Sequence, residues 1–401
     1  MKINWDFVSL GSVTQIYNGN SINAEYKKKH FLGVDKGYPF IATKDVGFNG
    51  FIDYENGVKI PFDTDYKIAD SDSVFICAEG GSAGKKIGYV TQQVCFGNKL
   101  FCIKPKQNIL KGKYIYYYLQ SVFFQIQFQS LLTGLIGGVS ASKFKNISIP
   151  VPPLSEQERI VSLLDLEFAK IDAIKANAEK QLQDAKDLFQ SALKDLLIPK
   201  EGWKEGCLGD FILNLRTGLN PRQHFKLNTE DAEGYYITVR ELKGFDIVVD
   251  NKTDRVNKEA LLRINRRSEL KIDDVLFSGT GTIGNTALIS ELPQDWNIKE
   301  GIYAITPKHN LINSRFLIYL LGSDFFLKEA RKKAEGTGVM SVPMKRFVNL
   351  LVGVPSLEKQ ILIAEKLDVL SEKIKELQSN YEQTITLCND LKQSILKDIF
   401  G

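Results

Sequence analysis

Residues 277–287 read FSGTGTIGNTA and contain Gly279-Thr-Gly281-Thr-Ile-Gly284, a match to G-x-G-x-x-G. Where that spacing joins a strand to a helix it binds a dinucleotide, because the glycines let the backbone approach the pyrophosphate and the helix N-terminus stabilises its charge. The surroundings argue against that chemistry. The run after Gly284, Asn285-Thr-Ala-Leu-Ile-Ser-Glu-Leu-Pro293, is short and ends at proline, so no βαβ unit continues from it. A related run, Gly80-Gly-Ser-Ala-Gly-Lys-Lys86, loses the fingerprint. It also misses a P-loop, with three residues between its glycines and Lys86 where Ser or Thr is needed. The better reading is a glycine-rich turn after a strand, able to come close to a phosphate.

No other catalytic set is present. H-E-x-x-H, G-x-S-x-G and the Asn/Asp-Pro-Pro-aromatic motif of amino-methyltransferases are all absent. The five cysteines (Cys77, Cys95, Cys102, Cys207, Cys388) are odd in number and form no C-x-x-C. The three histidines (His30, His224, His309) lie far apart, so neither a disulfide framework nor a metal site is expected. No run of eighteen apolar residues spans a membrane, and MKINWDFVSLGSV is no signal peptide. The expectation is a cytoplasmic protein that recognises rather than catalyses, with no cofactor of its own.

Charge points to a polyanion. Residues 1–145 carry 17 Lys+Arg against 11 Asp+Glu, and residues 199–348 carry 23 against 20. The segments between and after them, 146–198 and 349–401, are mildly acidic. Cationic and amide side chains on loops between strand-like runs can hold phosphates or read base edges. In the first block these are Lys27, Lys28, Lys29, Lys44, Ser82, Lys85, Lys86, Asn98, Lys99 and Lys143. In the second they are Arg216, Asn220, Arg222, Gln223, Arg240, Arg263, Arg266, Arg267, Thr280, Thr282, Asn285, Lys345 and Arg346. The first block has no arginine and the second has ten, which favours a more guanine-dependent target for the second.

These residues need a framework, and the sequence states it twice. Residues 146–197 and 349–400 align without a gap at an offset of 203, with 19 identities in 52 positions. The identities include Pro152/Pro355, Leu154/Leu357, Gln157/Gln360, Asp165/Asp368 and the Gln-Ser-x-Leu-Lys-Asp runs at 190–195 and 393–398. Trp5-x4-Leu10-Gly11 likewise matches Trp203-x4-Leu208-Gly209. After each Val-Pro-x-Leu comes a long segment free of Pro and Gly, the first with Ser155 and Glu158 spaced as a capping box. Heptad lines predict a coiled-coil core of Leu164, Ile171, Ile174, Ala178, Ala185, Leu188 and Ala192 on one helix, and Leu367, Leu370, Ile374, Leu377, Tyr381, Cys388, Leu391 and Ile395 on the other. Tyr38–Thr43, Val74–Ala78, Leu100–Ile103, Tyr235–Val239, Val275–Ser278 and Ile302–Ile305 read as strands. The predicted fold is α+β: two β-rich recognition domains joined by two long helices in an antiparallel coiled coil, as a pseudo-twofold repeat. Its segments are a first recognition domain (1–148), a central helical spacer (149–198), a second recognition domain (199–351) and a C-terminal helical spacer (352–401).

The run Ile-Pro-Val-Pro-Pro-Leu-Ser-Glu-Gln-Glu-Arg-Ile-Val (149–161), the helix ending Gln-Ser-x-Leu-Lys-Asp-Leu-Leu, and their repetition closely resemble the specificity subunit of type I restriction–modification systems. The resemblance spans the chain, strong in the helices and weak in the variable blocks. It implies two target recognition domains that each read half of a bipartite site in double-stranded DNA. It implies as partners two adenine methyltransferase subunits docked on the helices, and restriction subunits. S-adenosylmethionine, ATP and Mg are then expected on those partners only. The second motif departs from the pattern, with Gly353 for the first proline and Lys359 for the glutamate before Gln360. The competing reading is a coiled-coil scaffold or adaptor with two heads that bind something other than DNA.

Overall fold

The computed structural model describes residues 5–133, 137–292 and 295–401; the Gln223 side chain lies outside the described set. The chain packs as two compact units. One runs to Ala178 and takes in Gln383–Gly401; the other is Glu179–Glu382. Each therefore holds one variable block, or head, with part of each long helix. Among the described residues no helix is long and apolar enough to cross a membrane.

The two heads share a plan. Each is closed by a pair of antiparallel strands from its two ends: Phe7–Ser9 with Ser148–Pro150, and Lys204–Cys207 with Leu351–Val354. Inside the first, an antiparallel sheet runs in the order Thr14–Asn18, Leu100–Pro105, Val74–Cys77, Ile87–Tyr89. Inside the second the order is Ile212–Thr217, Ile302–Pro307, Val275–Ser278, Thr286–Leu288, the same topology. A smaller sheet in each contains one parallel pair, Tyr38–Ile41 with Val94–Phe96 and Gly234–Ile237 with Trp296–Ile298. The six strand-like runs of the sequence all fall on these strands. Central strands are apolar on both faces because the sheet is covered twice: Val74–Cys77 and Val275–Ser278 are buried throughout.

Each sheet is backed by a helical pair, Gly112–Gln120 with Val122–Ser130 and Ser314–Gly322 with Asp324–Lys332. Both pairs break at a fully buried serine, Ser121 or Ser323, whose hydroxyl bonds back to the carbonyl three residues earlier at 2.7 Å.

The long helices are Leu154–Leu197 and Leu357–Phe400. The first starts one residue before Ser155, with the Gln157 amide bonded to the Pro153 carbonyl at 3.0 Å, so the expected capping box is not formed. In the first unit the helices run antiparallel: Lys392 Nζ meets Asp172 Oδ1 at 2.5 Å, and Lys175 Nζ donates to Asn389 Oδ1 at 2.9 Å. There Leu164 and Phe168 share a core with Leu396 and Phe400, and in the second unit Phe189, Leu193 and Leu197 share one with Ile363, Leu367 and Ile374.

The heptad line needs correction. Leu164, Ile171, Leu367 and Ile374 are buried, and Leu370 and Ile395 are partly so, but Ile174, Leu188, Leu377 and Leu391 are exposed. The small members of the line, Ala178, Ala185 and Cys388, are buried as expected, and the seam adds Phe168 and Phe189 on one helix and Ser371 on the other. Lys392 joins it, with its ammonium 4.8 Å from the centre of the Phe168 ring. A hydrophobicity count skips Ser371 and Lys392, and that moves the line onto the neighbouring face.

What fastens each long helix to its head is a buried glutamine. Gln157 is fully buried, donates from Nε2 to the Ile109 and Pro152 carbonyls at 2.9 and 2.8 Å, and accepts the Lys111 amide at 3.0 Å. Gln360 repeats every bond: Nε2 to the Leu311 and Pro355 carbonyls at 2.9 and 2.8 Å, and the Asn313 amide at 2.7 Å. Two turns on, Asp165 accepts from Tyr117 Oη at 2.5 Å and pairs with Lys113 at 2.8 Å, and Asp368 accepts from Tyr319 Oη at 2.5 Å and pairs with Arg315. Burial, then the bonded carboxylate, pushes the Tyr117 hydroxyl above its ordinary range, and burial pushes that of Tyr319 up to about 12. Both therefore stay protonated donors at neutral pH.

Gln157→Ala strands the Lys111 amide and two carbonyls in the interior. At about 1–3 kcal/mol for each unsatisfied buried group, part of it relieved by water, the melting temperature of the first head should fall by several degrees by calorimetry. An unchanged melting profile would show that the glutamine contributes no stability.

Candidate nucleic-acid interface

The glycine fingerprint is a β-hairpin turn. Val275–Ser278 runs through Gly279–Gly284 directly into the antiparallel strand Thr286–Leu288, with Gly281 at a φ of 78°. No helix follows, so no N-terminus is available for a pyrophosphate. The corresponding turn of the first head, between Val74–Cys77 and Ile87–Tyr89, is likewise a hairpin. Among the described residues no group of His, Cys, Asp or Glu could hold a metal ion.

The cationic residues converge at another turn, equivalent in the two heads. In the first it links Val94–Phe96 to Leu100–Pro105, and in the second it links Trp296–Ile298 to Ile302–Pro307. Each lies beside the end of the sheet's first strand, where the chain crosses so closely that a Cβ at Gly19 would collide with the Phe96 carbonyl, and one at Gly218 with that of Ile298. An isolated parallel bridge marks each crossing, Asn20 to Gly97 and Leu219 to Lys299. A cleft opens at each.

The first cleft, of about 220 Å³, gathers Lys27, Lys44, Asn98 and Lys99 around Phe40 and Thr43. Lys27 sits with its ammonium 3.9 Å from the Phe40 ring centre; burial lowers its pKa, against the pull of Asp45. The Lys44 side chain is 70% exposed. Lys86 reaches the rim by donating to the Thr43 carbonyl at 2.9 Å, and Lys99 has Glu79 3.2 Å away. Lys28 and Lys29 are exposed on the same short helix as Lys27. Ser82 and the exposed Lys85 lie on the hairpin turn, and Lys143 is exposed on the short helix Ala141–Phe144, away from the cleft lining.

The second cleft, of about 610 Å³, gathers Asn220, Arg222, Arg267 and Thr280 with Lys299, Glu300, Ser341 and Val339. Lys299 and Glu300 were not expected. Their signal lay in the repeat, since they occupy the same turn between sheets as Asn98 and Lys99.

The other candidates of this head fall elsewhere. Arg216 is a correction: it is buried, bonded at 2.6 Å to both Asp274 Oδ2 and Thr306 Oγ1 and also to the Glu269 carbonyl, so no donor faces a ligand. Asn285 is also structural, its amide holding the Val239 and Leu242 carbonyls at 3.2 and 3.1 Å. Arg240 pairs with Asp254 at 3.0 Å, Arg263 with Glu259 at 2.6 Å, and Arg346 with Glu335, all at the surface. Arg266, Thr282 and Lys345 are exposed outside the cleft lining.

The sequence profile of the type I restriction modification DNA specificity domain matches residues 2–184 and again 200–387. The chain belongs to the type I restriction modification DNA specificity family. Among the relatives of this specificity protein, the type I restriction enzyme StySPI specificity subunit of Salmonella potsdam is 24% identical, covering 99% of this chain and 88% of its own. The EcoBI specificity subunit of Escherichia coli is 23% identical, covering 99% and 85%. In fold it matches a chain from a structure of complex assembly and conformational transition in the type I R-M system, with a TM-score of 0.72 at 18% identity, covering 99% of this chain and 97% of that one. The family match agrees with the two heads, the two long helices and the recognition role expected of the specificity protein.

Buried and cleft arginines should respond differently to substitution. Arg216→Met leaves Asp274 as an uncompensated buried charge and should cost about 3–5 kcal/mol, whereas Arg267→Ala should stay within about 0.5 kcal/mol. Thermal unfolding of the two variants decides it; equal small shifts would refute the structural role of Arg216.

Proposed function

We propose that this chain is the non-catalytic, DNA-reading subunit of a cytoplasmic type I restriction–modification complex, with each cleft reading half of a bipartite duplex site. The observation that carries the reading is the pair of cationic clefts at the same turn between the two sheets of each head, lined by different side chains. A common mount with divergent linings is what reading two different half-sites requires. The first cleft offers lysines, which serve as point charges for phosphates, and Asn98, whose amide suits adenine. The second offers Arg222 and Arg267, which bind guanine O6 and N7 in bidentate fashion. In this reading the recognition domains are 1–148 and 199–351, and 149–198 and 352–401 are the spacers.

The partners are methyltransferase subunits, two in number, and restriction subunits; these carry S-adenosylmethionine, ATP and Mg. Support for a helix-docked partner comes from exposed apolar side chains of the long helices, four of them displaced from the predicted seam. Ile174 and Leu377, Leu188 and Leu391, and Leu166 and Val369 are equivalent pairs at the repeat offset, and all six are exposed. An apolar row repeated on the outer face of both helices fits a protein partner at each.

The test is duplex binding by the chain assembled with its methyltransferase subunits, measured by anisotropy over a range of salt. Affinity should fall steeply with salt. Lys44→Ala and Lys99→Ala should each weaken binding and reduce the salt slope by about one, while Arg267→Ala should also relax discrimination at one base pair. Unchanged affinity and slope in all three variants would contradict the reading.

A further inference from the structure

The second cleft has one feature that cations and amides do not explain. Val339 lines it, is 66% exposed, and stands among Arg222, Arg267, Lys299 and Thr280. We propose that Val339 is a nonpolar base reader, packing against the C5-methyl group of a thymine in the half-site held by this cleft. The inference rests on the DNA-reading role proposed above and extends it to a specific base.

The loop is built to hold this side chain out. It is a tight reversal in which Glu335 and Ser341 exchange backbone bonds at 2.7 and 2.8 Å. Its returning strand is sewn to the glycine turn: the Gly281 amide donates to the Met340 carbonyl, and the Val342 amide to the Gly279 carbonyl, each at 2.8 Å. Thr280 and Ser341 join by their hydroxyls at 2.8 Å. Arg346 pairs with Glu335 at the base of the loop. The tip is therefore a fixed projection rather than a free loop. At Gly336, with φ at 131°, a Cβ would collide with the Val339 carbonyl, so the reversal requires glycine there. Valine itself is stiff about χ1, so little freedom is lost when it is covered.

The occupant follows from the surroundings. An exposed isopropyl group in a cleft that also holds Arg222, Arg267, Lys299 and Glu300 is a poor seat for a protein's apolar surface, since docking one would desolvate the charges without pairing them. Duplex DNA satisfies both demands at once: phosphates and guanine edges take the arginines and Lys299, and the major groove offers one apolar group, the thymine methyl.

The experiment uses the complex assembled with its methyltransferase subunits and a duplex carrying its methylation motif. The half-site read by the second head is the one whose discrimination Arg267→Ala relaxes. Each thymine in that half-site, on either strand, is replaced singly by deoxyuridine, which lacks only the C5-methyl. One replacement should weaken wild-type binding about fourfold, the worth of one buried methyl group. Val339→Ala should weaken binding to thymine DNA by a similar factor and be indifferent to that replacement. Val339→Thr, which keeps the shape and one γ-methyl, should fall between the wild type and Val339→Ala. A half-site without thymine, indifference of the wild type to every replacement, or a deoxyuridine effect that persists in both variants would overturn the assignment while leaving DNA reading intact. A complex that prefers no duplex over another would overturn the DNA-reading role as well.

Discussion

The structure depends on a glutamine that has no contact with water. Gln157 and Gln360 each spend their side-chain amide on two carbonyls and a backbone amide where a long helix leaves its head. The carbonyl of Pro152 or Pro355 belongs to the helix entry, and those of Ile109 and Leu311 belong to the loop that starts the head's own helices. One side chain thus fixes the angle between the two. A hydrophobic contact would tolerate rotation about this joint; three hydrogen bonds with directions do not. The Asp165–Tyr117 and Asp368–Tyr319 bonds, two turns on, prevent the helix from rolling.

The residues that line the two clefts differ, and they lie beyond this joint. The repeat keeps both glutamines and both aspartates, while the clefts exchange Gly97-Asn98-Lys99 for Lys299-Glu300-Gly301 and acquire arginine on one side only. A reader can change its lining without disturbing its mount because the lining sits on turns whose flanking strands are held in the sheets. The closing strand pairs, Phe7–Ser9 with Ser148–Pro150 and Lys204–Cys207 with Leu351–Val354, complete the separation.

Much of this was legible in the amino-acid order because it is local or repeated. The six strands announce themselves as apolar runs, the long helices by their lack of Pro and Gly, and the shared framework by its identities. The failures have a common physical origin: the deciding partner is distant or chemically ambiguous. Arg216 reads as a surface cation until Asp274, 58 residues away, is seen to bury it. Lys392 reads as solvent-facing until its ammonium is found over the Phe168 ring. Gln157 is visible as an identity, but its role needs Ile109 and Lys111, 48 and 46 residues earlier. Lys299 was one lysine among many until the parallel bridge at Leu219 put it in register with the other head's turn.

The central claim is that two equivalent mounts carry two different DNA readers. Its most direct test is a long-read map of methylated adenines in cells carrying this gene, with the gene deleted, and with Arg222 and Arg267 both changed to alanine. The account predicts one bipartite motif that vanishes on deletion and becomes degenerate in one half only in the double variant. A motif unaffected by deletion, or one that degrades in both halves together, would contradict it.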